Sequence, residues 1–141
     1  DKALEIWKSE TDETYYTFEH FFAKTGRGAG WHQFAALSTP VMMWFSAYYK
    51  PGTVTTGFEV WIDRQSFSSD NSKYEALLSF DESTTAHTRS ILVCMNPAFK
   101  YKVLVDGKET PFTIRNNGLL EVKLAATNKG CLLNIQALAR R

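Results

Sequence analysis

The stretch YKVLVDGKETPFTIRNNGLLEVKL, Tyr101–Leu124, reads as two hairpins in succession. Tyr101, Val103 and Val105 recur at every second position and lead into Asp106-Gly107. Phe112 and Ile114 lead to Asn117-Gly118, and Leu120, Val122 and Leu124 resume the alternation. Asp-Gly and Asn-Gly supply the positive φ angles that a two-residue turn demands, so strands that flank them pair antiparallel. Working outward, Phe58, Val60 and Ile62 alternate with Glu59, Trp61 and Asp63, and Tyr74, Ala76, Leu78 and Phe80 alternate with Glu75, Leu77 and Ser79. Ser90–Met95 (SILVCM) is almost continuously apolar, which suits a central strand covered on both faces. Cys131–Gln136 closes the series, and Ala137–Arg141 reads as a loose end. About seven short strands, joined by polar connections such as SFSSDNS (Ser66–Ser72) and DESTTAHT (Asp81–Thr88), predict an antiparallel β-sandwich.

Before about Lys50 the period is helical instead. Tyr15, Phe18, Phe21 and Phe22 follow the cap candidates Thr11 and Asp12, with Gly26 just beyond, and predict a helix near residues 12–24. A shorter helical turn is expected over Lys2–Lys8. A second helix is expected over Phe34–Tyr49, with Leu37, Val41, Trp44, Phe45 and Tyr48 on one stripe and Met42 and Met43 widening it. Pro40 kinks this helix or marks an early turn, and Pro51-Gly52 ends it. Being apolar nearly all round, it calls for cover that one short partner helix cannot supply. The chain thus divides into a helical segment, 1–52, and a β-sandwich, 53–141: mainly β, with two α-helices leading.

At 141 residues, 44% hydrophobic and 14% aromatic, there is material for one ordinary core. Sixteen basic against fifteen acidic residues leave a net charge of +1, scattered along the chain, so neither nucleic acid nor an anionic membrane is an expected partner. The longest apolar run, Val41–Tyr49, falls well short of the roughly 20 residues that span a bilayer. Cys94 and Cys131 lie in apolar, strand-like contexts without CxxC spacing. Two buried small hydrophobes is the preferred reading and a disulfide the alternative. No metal and no cofactor is expected.

Trp31, His32 and Gln33 are the candidate substrate-binding residues. They follow a Gly-rich stretch, Gly26–Gly30, at what reads as the entrance to the second helix. An aromatic face at Trp31 suits the C–H face of a pyranose, His32 can be held with its ring toward a cleft, and Gln33 offers both donor and acceptor to hydroxyls. Each also has a plain reading: a core aromatic, a histidine bonded to a nearby carbonyl, and a helix cap. The acidic residues mostly alternate with apolar ones, as on a solvated face, and form no evident catalytic pair. His20 and His87 have no sequence neighbours that suggest a triad, and GxSxG, HExxH, P-loop and GxGxxG motifs are missing. No catalytic residue is assigned.

The run GRGAGWHQFAALSTPVMMWFSAYYKPGTVTTG, Gly26–Gly57, resembles the closing stretch of a six-hairpin, (α/α)6-barrel glycoside hydrolase of the α-L-rhamnosidase-like kind. In that pattern a loop with an aromatic or Asn followed by His enters a helix rich in small and aromatic residues, and a Pro/Gly turn leads on to a C-terminal β-sandwich. Tyr101–Ile135 is similar to that sandwich. The resemblance implies that residues 1–52 are the last barrel helices and that His32 is the barrel's substrate-contacting His. It further implies that the catalytic acid and base belong to earlier helices, so that this chain alone does not hydrolyse. The start at Asp1 agrees with a C-terminal piece of a longer secreted or periplasmic protein. Expected partners are an oligo- or polysaccharide and either the missing N-terminal part or another copy of the chain. The alternatives are a free-standing glycan-binding sandwich using exposed aromatics such as Trp61 or Tyr74, and a structural homo-oligomer.

Overall fold

The computed structural model describes residues 2–33, 35–57, 59–81, 87–116, 118–124 and 130–140. The chain divides into two units, 1–46 and 47–141, with the division inside the second helix. No helix among the described residues is long and apolar enough to cross a membrane.

In the first unit α1 spans Lys2–Thr14, followed by β1 (Phe18–Phe21), β2 (Gly28–His32) and the start of α2 (Ala35–Tyr49). The helix expected near 12–24 is therefore replaced by a longer α1 and a strand. Tyr15 stops α1 by turning to φ 60°, while its amide donates to the Thr11 carbonyl at 2.8 Å. The Phe18, Phe21 and Phe22 spacing that mimics a helical stripe instead serves a hairpin. β1 and β2 pair antiparallel, with Phe18 opposite His32 and Phe21 opposite Gly28, and a register shift lies between Phe18 and His20. Glycine is required at 28, where a Cβ would run into the Phe18 ring. Arg27 ties the hairpin to α1: its Nη1 lies 2.7 Å from the Glu13 carboxylate and its Nε 3.5 Å from that of Glu10, which is only 5% exposed. A buried carboxylate is tolerable in such a place because a cation faces it.

The second unit holds β3 (Thr53–Thr56), β4 (Val60–Phe67), β5 (Lys73–Phe80), β6 (Arg89–Cys94), β7 (Phe99–Val105), β8 (Lys108–Glu109), β9 (Phe112–Asn116), β10 (Leu119–Leu124) and β11 (Cys131–Arg140). All seven expected strands are present, with Phe58 of the first outside the described residues; the β-branched run TVTT adds β3, and Lys108–Glu109 adds β8. They form a four-stranded sheet, β3-β6-β10-β9, and a five-stranded sheet, β4-β5-β11-β7-β8. Every pairing is antiparallel. One core unites the inward faces of both: Ile91, Val93, Leu120 and Val122 from the first meet Tyr74, Leu78, Val103, Leu133 and Ile135 from the second. That is the layering of a sandwich.

The Asp106-Gly107 turn forms as expected, with φ of 50° and 76° at its two residues joining β7 to β8. At the second hairpin Asn117 lies outside the described residues, while Gly118 has φ 88° and Leu119 pairs with Asn116. The segment expected to trail loosely continues β11 as far as it is described: after a register shift, Ala139 and Arg140 pair with Lys100 and Phe99, and Arg141 lies outside the described residues. Cys94 and Cys131 are free and buried, one in each sheet, as small core residues.

Candidate functional site

Of the glycine-rich run before Trp31, Gly26 closes the preceding turn by donating to the Phe22 carbonyl at 2.8 Å, while Gly28–Gly30 belong to strand β2 rather than a loop. Its glycines allow close approach: Gly30, at φ 79°, brings the Glu19 carboxylate to 2.6 Å from the position a Cβ would fill. The Trp31 amide donates to that same carboxylate over 3.5 Å. Trp31 and His32 are consecutive on β2, so their side chains leave opposite faces of the ribbon. Trp31 is 74% exposed. The His32 ring lies 5.4 Å from that of Tyr16 and 5.6 Å from that of Phe18, which gives it an aromatic seat. Gln33, exposed, leaves the strand at φ 62°, and Phe34, the expected first residue of the helix, lies outside the described residues. The three candidates therefore share a segment without converging on one point. Tyr15 and Phe22 add further exposed rings to this unit.

Among the described side chains of α2, Met42, Met43, Trp44 and Phe45 are exposed, so this stretch lacks the cover that its composition demands. The helix has no Asp, Glu, Lys or Arg. Pro40 sits inside it, where it cannot donate to the carbonyl of residue 36.

The two aromatics named for a glycan-binding sandwich separate sharply. Tyr74 is 2% exposed and lies in the core; its ring is 4.5 Å from that of Phe67 and its hydroxyl donates to Gln65 Oε1 at 3.2 Å. Desolvation pushes that phenol well above the ordinary tyrosine value. It is no exposed platform. Trp61 is 58% exposed, and its indole N–H donates to the Asp81 carboxylate at 2.6 Å.

His87, which has no obvious companion in the sequence, finds one in space: its Nε2 lies 2.5 Å from Glu59 Oε2, and the same oxygen lies 3.3 Å from Nε of the buried Arg89. Arg89 also donates to the Asp81 carbonyl at 3.0 Å and sits 5.1 Å from the centre of the Phe80 ring. The group lines a groove of about 310 Å³. It ties the entry of β4, the exit of β5 and the start of β6, which is a structural task. Glu59 and His87 are far apart in sequence: Glu59 precedes β4 of the five-stranded sheet and His87 precedes β6 of the four-stranded sheet, so their contact joins the two layers rather than neighbours in one ladder.

Residues that sequence reasoning passed over lie on the outer face of the five-stranded sheet. Ser66, Lys73, Glu75, Asn134 and Gln136 surround a concavity of about 340 Å³, and a second of about 110 Å³ shares Ser66 and Glu75 with it and adds Arg64 and Leu77. The available signal is the alternation of β5, whose outward set is Lys73, Glu75, Leu77 and Ser79.

Comparison of the chain with models of known protein families and with curated proteins finds no match.

Proposed function

We propose that this chain is the C-terminal accessory region of a glycoside hydrolase-like, carbohydrate-active protein, secreted or periplasmic, that supports and lines a glycan site without catalysing alone. The observation that carries this reading is Trp31, 74% exposed on a strand whose amide is held by Glu19. A presented indole stacks on the C–H face of a sugar; His32, whose side chain leaves the opposite face of β2, does not share that contact, and Gln33 offers a donor and an acceptor at the end of the strand. The exposed Met42, Met43, Trp44 and Phe45 add support, since an uncharged helix is stable in water when something apolar covers it. That face equally favours a second copy of the chain, the reading in which the protein is a structural oligomer.

Two measurements test the proposal. The coding sequence upstream of Asp1 should contain several hundred residues of helical hairpins; a signal peptide directly before Asp1 sinks the idea. In the full-length protein, Trp31→Ala should weaken oligosaccharide binding about tenfold, equivalent to about 1.4 kcal/mol, with the unfolding midpoint unchanged. Unaltered binding places Trp31 away from the sugar.

A further inference from the structure

We infer that the outer face of the five-stranded sheet is a second and separate carbohydrate site, an open cleft for an extended, uncharged oligosaccharide with Trp61 as its stacking platform. The inference stands on the sandwich alone and does not depend on Trp31.

Directly paired residues of neighbouring antiparallel strands share a face, so the register defines this surface. Trp61 pairs with Ser79. Arg64 pairs with Leu77, and Leu77 with Leu132. Ser66 pairs with Glu75, Glu75 with Asn134, and Lys73 with Gln136. The register shift between Ile62 and Arg64 makes the surface continuous. Were Asp63 a regular strand residue and not a bulge, strict alternation from Trp61 would turn Arg64 and Ser66 inward. Instead the bulge returns them to the side of Trp61, and Asp63 accepts a hydrogen bond from the Ser79 hydroxyl at 2.9 Å. From Ser79 to Lys73 the face runs roughly 20 Å along β5.

Its chemistry is mixed in the way a sugar chain is mixed. Trp61, Leu77 and Leu132 are exposed apolar groups at one end. Beyond them Ser66, Asn134 and Gln136 offer neutral groups that both donate and accept, as hydroxyls require. The hydrogen bond to Asp81 fixes the edge of the Trp61 indole, which lowers the ordering cost of stacking on it. Arg64 and Lys73 flank Glu75, and Lys102, paired with Gln136, lies 3.4 Å from the Glu109 carboxylate, so the positive charges of this face are interleaved with carboxylates. β5 and β11 are each paired on both sides, so a peptide lying on this face cannot add to the ladder as a new strand.

The test is a glycan array of neutral and charged chains probed with the intact protein. A titration of the best neutral chain, and of its disaccharide, would then be followed through the backbone amides. Expected are binding of neutral linear chains, at least tenfold tighter for a hexasaccharide than for the disaccharide, and shifts centred on β4, β5 and β11. Trp61→Ala and the double change Asn134→Ala/Gln136→Ala should each weaken binding tenfold or more. Both leave the unfolding midpoint in place, since these side chains point away from the core. Trp31→Ala should leave this binding intact, which separates the two sites. No neutral glycan bound, binding confined to charged glycans or peptides, or full affinity in Trp61→Ala overturns the inference.

Discussion

Tyr101 donates its hydroxyl to the carbonyl of Asn96, five residues upstream and 2.6 Å away. The ring belongs to the core of the sandwich, and the hydroxyl stitches the start of β7 to the turn after β6. Asn96 in turn donates from its amide to the Asn71 carbonyl at 3.1 Å and from its carboxamide to the Asp70 carbonyl at 2.9 Å. One phenol thus anchors a loop to which a second loop is attached.

Tyr101→Phe keeps the ring and deletes the bond. The expected loss is about 1 kcal/mol of stability, the net worth of one such bond, with more if the abandoned carbonyl stays dry. Urea unfolding of the two proteins measures it; equal midpoints would show that water replaces the hydroxyl at no cost.

Gly107 and Gly118 both sit at positive φ, yet they should respond differently to alanine. At Gly107, φ 76°, a Cβ meets open space, and the cost is that of the left-handed backbone alone, about 1 kcal/mol. At Gly118, φ 88°, a Cβ would collide with the Met95 carbonyl oxygen, and the Gly118 carbonyl itself accepts from the Met95 amide at 2.8 Å. Gly118→Ala should therefore cost clearly more than Gly107→Ala, by more than about 1 kcal/mol. Thermal unfolding of the pair decides; similar losses would refute the tight approach.

Asp70 is held near pKa 2, below the ordinary 3.8, by the Ser72 hydroxyl first, then by the Ser68 hydroxyl and the Ser72 amide. A carboxyl more acidic in the folded chain stabilises it at pH above the unfolded value, and that contribution fades as pH falls from about 4 toward 2. Wild type should lose stability across this window, and Asp70→Asn should lose less over the same range. Parallel pH profiles for the two proteins would discard the assignment.

Burial lifts both thiols, Cys131 to about 11 with the Asp106 charge as a second cause, and Cys94 in the same direction. A thiol is reactive only as thiolate. Native protein at pH 8 should react slowly with a disulfide reagent, and denatured protein should release two equivalents quickly. Two fast equivalents from the native state, or none after denaturation, would contradict this picture.

The sandwich was legible because its signals are local. Asp106-Gly107, the SILVCM run and the alternation of Tyr74–Phe80 each act within a few residues, and each appears in its expected role. The errors lie where a local pattern has two physical solutions. Phe18, Phe21 and Phe22 fit a helical face, yet a strand of glycines opposite offers Phe18 a bare backbone to lie on, and pairing prevails. The bulge at Asp63 leaves no mark in composition, so the outward placement of Arg64 and Ser66 emerges only from the register. At the candidate site the residue types of Trp31, His32 and Gln33 were readable. Their divergence was not, because it follows from β2 being a strand and from the turn of Gln33 to φ 62°.

β11 lies between β5 and β7 and pairs with both. During synthesis, β4, β5 and β7 therefore leave the ribosome before the strand that joins them exists. For several seconds at ordinary elongation rates the β5 and β7 edges stand open. Completion of the five-stranded sheet waits for Cys131–Arg140 to clear the exit tunnel, so the nascent chain carries two unpaired strand edges until its last strand arrives.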